Sequence, residues 1–548
     1  MKYSTAACLI LLSIAFIAMT ICARGQTQFS SCTNKGLVGV GLIAADTLDA
    51  TGNDTLGGIG SSIWFDLRTF NKVESASGNK YTGRLYSISD AGYRGASSDY
   101  KPRFHAFDFL LMPYEDSDPV AQGQIQLVNT QSIQFTYSNA EIFTGGDPSD
   151  ASVITFPQSY IADDQGNRRS LDPESLALRN NGTFYVGDEY GPFIYHFSGA
   201  GELLETLIPP PAYLPKGYGT YPKPIIFSTF YFIYSGRKAN RGFEAMTITP
   251  DEKYLVAMPQ SPLTQDNGTL AASVNTRLLV FDLQTNSTNY NQPVAEYVYQ
   301  LGAPNGRQNL ACEIRALNNH QFLVLERDDG GYGTSRQPFY KRVVLMDTDG
   351  ATNILGTGYD REYEGPGQLA LPVGDLPAEI VPVQRLDLVD LLDSDQLAKF
   401  GLYPSTLASK WEGMTLLPML DTNAPDDYLL VIANDNDFSA SHVIQNGVDM
   451  GQVSPLIDNM FLAFRVTLPG TAIKLPPPIP PQLTIFSDFG ELIVSWPASP
   501  FPFVFECSTD PNGPWLEASE EVDSVDGINY AGIDSSTPAR FFRVKINY

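Results

Sequence analysis

Carboxylates recur at matched places along this chain, and they are the side chains with chemistry to offer. Glu174, Glu244, Glu313 and Glu412 each stand where a short apolar run begins. Each run is followed by a turn and a second apolar run that leaves in polar residues: Asp188-Glu189, Glu326-Arg327-Asp328 or Asn434-Asp435. Oxygen donors in such numbers suit a hard cation, which takes roughly six to eight of them. Glu174, Glu244, Glu313, Glu326 and Glu412 are the candidate ligands, with Ca2+ the cation expected. A bound cation polarises a substrate oxygen and acidifies a bound water, and a free carboxylate beside it can act as general base. Asp188 and Glu189 are the catalytic candidates. Arg94, Arg103 and Arg327 could hold an anionic substrate, because guanidinium matches phosphate geometry. The competing reading makes the glutamates partners of Arg237, Arg241, Arg315 and Arg327 in struts between neighbouring elements.

The elements that must present these groups are hairpins. In the stretch from Asp172 to Phe197, DPESLALRNNGTFYVGDEYGPFIYHF, Asn181-Gly182 separates two strand-like runs, a strong hairpin signal because both residues tolerate positive φ. A two-residue turn there sets Glu174 opposite Glu189. Like charges so placed repel, which calls for a cation, a basic side chain or water between them. The plan recurs in GGIGSSIWFD with GRLYSISDAG, in GFEAMTITPDEKYLVAMPQ, in CEIRALNNHQFLVLERDDG, and in WEGMTLLP with DDYLLVIANDND. One hairpin cannot bury both faces, whereas radial stacking can. A repeat of roughly seventy residues fits propeller blades with long loops. The expected fold is all-β: a β-propeller of about six blades, with the first-strand starts and second-strand ends meeting at one mouth.

These segments, taken together, resemble the phytase-like (esterase-like activity of phytase) family over roughly Leu37 to Leu468. The resemblance implies a propeller-type β-fold and phosphoester hydrolysis of a small-molecule substrate. The calcium-rich signature of the calcium-dependent propeller phytases has no counterpart here. A non-catalytic propeller with a structural cation and a calcium-dependent lactonase are the alternatives.

The remaining features set limits. Met1–Gly25 reads as a secretory signal, with Lys2, an apolar core from Ala6 to Ile21, and Ala23-Arg24-Gly25. An exported protein, extracellular or periplasmic, is expected. The domain spans residues 37–470, a stiff Pro-rich linker 475–482, and a small fibronectin-like β-sandwich 483–548. The formal charge of −26 disfavours nucleic acid and anionic membranes. No later run is long enough to span a bilayer. After cleavage Cys32, Cys312 and Cys507 remain, an odd number with no CxxC pattern. Four scattered histidines make a His-rich zinc site a poor fit, and no G-x-S-x-G elbow or P-loop is present. Leu386–Phe400 is the clearest helical segment of the mature chain.

Overall fold

The computed structural model describes residues 29, 31–74, 78–93, 99–148, 160–163, 166–220, 223–228, 232–267, 273–303, 307, 309–475, 483–488, 491–497, 503–525, 528–533 and 540–546. The signal segment, Arg94 and most of the Pro-rich linker lie outside these residues. Two compact units are distinguished: Met1–Asp66 with Lys72–Lys474, and Leu475–Tyr548 with Leu67–Asn71.

Strands dominate the first unit. It contains five four-stranded antiparallel sheets, and each of the five repeated segments supplies two adjacent strands of one sheet. The strands Ser62–Val73, Pro173–Leu178, Phe243–Ile248 and Leu310–Ala316 each open a sheet that continues in chain order. The remaining sheet is built from both ends of the unit. Trp411–Pro418, Asp427–Asn434 and Asn459–Thr467 are completed by Thr33–Ile43, with Thr33 paired to Thr467. Closing this sheet with Thr33–Ile43 ties the two ends of the unit together, so that sheet does not fray from either end.

The opening strands also pack on one another in succession. Leu176 N donates to Ser62 Oγ at 3.1 Å, Ser175 Oγ to Phe243 O at 3.2 Å, and Ala316 N to Thr247 Oγ1 at 3.1 Å. Phe65 N donates to Thr415 Oγ1 at 3.0 Å, which returns the cycle to its start. A propeller of about six blades is expected from the sequence; the first unit holds five four-stranded antiparallel sheets among its described residues. The wide repeat spacing is taken up by long connections, such as 208–242 and 348–383.

The apolar runs fill the spaces between successive sheets. Phe243, Met246 and Leu255 pack with Tyr185 and Ile194 of the preceding sheet, and Ala245 and Met258 with Ile314 and Val324 of the following one. Leu386–Phe400 departs from expectation. Gln384–Asp390 is a strand paired with Lys341–Asp347, and only Ser394–Ala398 is helical, capped by the Asp393 carboxylate on Asp395 N and Gln396 N. Pairing with Lys341–Asp347 gives the inward-facing backbone groups of Gln384–Asp390 their partners, whereas a short exposed helix is marginal in water.

The second unit holds a four-stranded and a three-stranded antiparallel sheet. They share a core of Val494, Trp496, Phe505, Ala531, Ile533 and Val544, with Trp496 stacked on Phe505. Among the described residues no helix is long and apolar enough to cross a membrane.

Two glycines let neighbouring sheets touch at the end where the repeated carboxylates sit. A Cβ on Gly60 would lie 1.9 Å from Asn434 O, and one on Gly242 would lie 2.5 Å from Glu189 Cα. Because both obstacles are backbone, neither can move aside cheaply. Gly242→Ala is expected to lower the urea midpoint by an amount worth about 1–3 kcal/mol. An unchanged midpoint would show that the sheets can part there without cost.

Candidate functional site

Four of the five opening strands, those beginning at Pro173, Phe243, Leu310 and Trp411, carry a β-bulge at their first residues, and this device aims the repeated carboxylates. Pro173 pairs with Asp188 and Ser175 with Gly187, leaving Glu174 as the extra residue. Glu244 is the extra residue between Phe243 and Ala245, and Glu412 the one between Trp411 and Gly413. A bulge turns its unpaired side chain out of the regular alternation, and bulges are frequent beside active sites. In the fourth repeat the extra residue is Cys312, because Ala311 pairs with Glu326 and Glu313 with Leu325. Glu313 is therefore not the equivalent of the other three glutamates.

The hairpin from Asp172 also differs by one residue from a two-residue turn. Leu178 pairs with Phe184, and Gly182, at φ 86°, donates its N–H to Arg179 O at 3.0 Å. This is a three-residue loop closed by a left-handed glycine. The shift and the bulge nevertheless bring Glu174 and Glu189 together. Carboxylate oxygens of Asp172, Glu174 and Glu189 all lie within 4.8 Å of one another, and all three residues are buried. Asp172 also accepts from Ala91 N at 2.8 Å. Burial pushes the Glu174 carboxyl well above its ordinary range, and the neighbouring charges of Glu244, Asp172 and Glu189 push it further. Glu174 has no ion-pair partner among the described residues.

Glu244 lies in the same field. Burial raises its pKa well above the usual value, followed by Glu189 and Glu412. Its Oε2 is buried without a hydrogen-bond partner among the described residues. Glu412 behaves oppositely. Burial alone would raise it, but Lys410 and Arg327 outweigh burial and hold it below the ordinary range. Arg327 Nη2 donates to Glu412 Oε1 across the gap between two successive sheets, and Lys410 bonds Asp435. Cys312, fully buried, sits within the electrostatic reach of Arg327, Glu412 and Glu244.

The other expected site residues are engaged elsewhere. Asp188 accepts from Asp172 N at 3.1 Å, Tyr190 N at 3.2 Å and Gly191 N at 2.9 Å. Burial lifts it to about 7 although those donors pull the other way. It shapes the bend that delivers Glu189, and its oxygens face backbone rather than an opening. Glu313 bonds Ser62 Oγ and pairs with Arg315 at 3.2 Å. Arg315 reaches across the cycle, donating to Met246 O at 3.1 Å and to Ile63 O, with its guanidinium over Trp64. That pair plugs the centre of the cycle. Glu326 is filled by Tyr299 Oη, Gly302 N, Tyr340 Oη and Arg385 Nη2. Arg103 is buried against Asp49 at 3.0 Å and Asp54 at 2.8 Å. It lines a polar cleft of about 490 Å³ with Lys101, Gln134 and Asn446. Arg94 lies outside the described residues.

Of the five expected ligands, Glu174, Glu244 and Glu412 share one acidic field, and Glu313 and Glu326 belong to separate networks. Asp172 and Lys410 are the members that sequence reasoning missed. Asp172 heads the quoted DPES motif, but nothing in its spacing marks it as a ligand.

Removing one partner of a buried pair leaves the other charge uncompensated. Arg327→Gln is expected to destabilise by about 3–5 kcal/mol. Adding Glu412→Gln should make the double variant's loss smaller than the sum of the singles by about 1–3 kcal/mol, read from urea unfolding. Strict additivity would mean that the two side chains do not depend on each other.

The family model for phytase-like proteins, described as esterase-like activity of phytase, matches residues 71–438. An uncharacterized secreted protein of Arthroderma benhamiae is 27% identical over 479 residues, covering 78% of this chain and 90% of that protein. Two solved structures align at 9% identity over 79% of this chain. They are a luciferin-regenerating enzyme (96% of it covered, TM-score 0.27) and the PQQ-bound aldose sugar dehydrogenase of Streptomyces coelicolor (99% covered, TM-score 0.24). With the family model covering more than half of its length, the chain belongs to the phytase-like family.

Proposed function

We propose that this protein is a secreted, metal-dependent phosphoester hydrolase whose sheets are the blades of a propeller, acting at the acidic mouth of the cycle. The observation that carries the reading is the convergence of Asp172, Glu174 and Glu189, buried together with no ion pair on Glu174 among the described residues. Three carboxylates in a low-dielectric setting cannot all remain charged unless positive charge opposes them; the buried Arg237 guanidinium acts on Glu189 and Asp172, and a cation would answer Glu174 as well. An all-oxygen donor set suits Ca2+ better than zinc. A hard cation held there would polarise a phosphoryl oxygen and make a bound water easier to deprotonate.

The chain's own residues divide the remaining work. Glu189 joins Asp172 and Glu174 as a ligand, and Asp188 fixes the bend that places it. Glu244, next in the cycle and raised in pKa by its burial, accepts the proton of the attacking water. Arg327, held by Glu412, supplies positive charge toward the phosphoryl group. The relative from Arthroderma is described as secreted, which supports export. The substrate is a small-molecule phosphate ester.

A second reading has one observation in its favour. Glu174, Glu189 and Glu244 are 5%, 1% and 2% exposed, so a cation bound among them could be purely structural. Turnover separates the two. The purified protein is assayed on a panel of phosphomonoesters, phosphodiesters and lactones, with added Ca2+ and with chelator. Glu174→Gln is expected to weaken metal affinity by at least about 10–100-fold and to lower phosphoester turnover in step. Glu244→Gln should lower turnover while metal affinity, measured by calorimetry, stays within a few-fold. Thermal destabilisation by both variants, with no turnover on any phosphate ester, would support the structural cation instead. Turnover of lactones alone would reassign the substrate.

A further inference from the structure

In a chain of 61 acidic and 35 basic residues, an arginine without a carboxylate is unusual. Arg277, Arg315, Arg327, Arg342, Arg385 and Arg465 all pair with acids. Among the described residues Arg237, Arg241 and Arg361 form no ion pair but donate to Tyr190 O, Gln260 Oε1 and Pro366 O, whereas the guanidinium groups of Arg307 and Arg336 have neither an ion pair nor a hydrogen bond to any described residue. Both line one cleft of about 530 Å³, together with Gln337, Pro338 and Phe339. Among the described residues the walls therefore carry two positive charges and no negative one.

The cleft is built rather than incidental. The Asp328 carboxylate accepts from Gly330 N and Phe339 N, both at 3.2 Å, and so closes the loop that carries Arg336. Within it Gly331 N donates to Arg336 O at 2.9 Å, and Arg336 N donates to Thr334 Oγ1 at 3.2 Å. Arg307 lies over the Phe339 ring at 5.1 Å, a cation–π contact that holds its guanidinium against the same wall. The two arginines come from the connections that enter Leu310–Ala316 and leave Gln321–Arg327. They thus sit at the end of this sheet where Cys312 and Arg327 lie.

We infer that this cleft is a binding site for a small organic dianion, of the phosphate-ester class, with an apolar body. Two like charges in one cleft repel each other until an anion is shared between them. Guanidinium forks fit the oxygens of phosphate in bidentate fashion. Pro338 and Phe339 offer the apolar surface for the rest of the molecule. The site is distinct from the carboxylate cluster, and its binding needs neither a cation nor turnover.

Phenylphosphonate, which has no ester bond to cleave, is the probe. Binding to the full chain is followed by calorimetry with chelator present, so that a cation at the mouth contributes nothing. Saturable binding is expected, weakened about tenfold or more by Arg336→Gln and likewise by Arg307→Gln. Benzoate, a monoanion with the same ring, should bind more weakly than phenylphosphonate. Both arginines are exposed, so the variants should keep the wild-type melting temperature. No saturable binding by the wild type, affinity unchanged in both variants, or benzoate bound equally well would each overturn the assignment.

Discussion

Like charges buried together are the constraint to which this structure answers. Asp172, Glu174 and Glu189 have been brought from the two arms of one hairpin into a space that excludes water. Carboxylates so placed are unstable as anions unless something opposes them. Elsewhere in the cycle the opposition is visible: Arg315 meets Glu313, Arg327 and Lys410 meet Glu412, and Arg277 meets Asp266 and Glu296. At Glu174 and Glu244 no such partner is seen among the described residues. The proposed cation follows from that contrast.

The same end of the cycle shows how a small irregularity, repeated, organises a site. Regular pairing would send successive side chains to opposite faces of each sheet. One extra residue at the start of four opening strands breaks that alternation and turns Glu174, Glu244, Cys312 and Glu412 toward a shared region. Below them the Glu313–Arg315 pair spans from one sheet to carbonyls of two others and closes the centre. Close backbone approaches at Gly60 and Gly242 keep the sheets near enough for these side chains to meet.

Much of this was legible from spacing alone. The five segments found by their shared plan are the five places where sheets begin, because an apolar run, a turn and a second run can bury themselves in few other ways. The gathering of Glu174, Glu189, Glu244 and Glu412 was legible for the same reason. What was not legible depends on register. Glu313 looked equivalent to the other glutamates in the linear pattern, but a bulge shifts the count by one and puts Cys312 in that place. Glu326 and Asp188 have the residue type of a site and the environment of a scaffold, because tyrosines and backbone N–H groups from distant segments reach them first. Those partners are separated in sequence, so no local pattern announces them.

The central claim is that the three gathered carboxylates hold a cation. Crystals grown with Mn2+ in place of Ca2+, measured at the manganese absorption edge, test it most directly. The account predicts an anomalous peak within coordination distance of Asp172, Glu174 and Glu189. A map with no peak there, and with Glu174 instead bonded to a basic side chain or turned away, would contradict it.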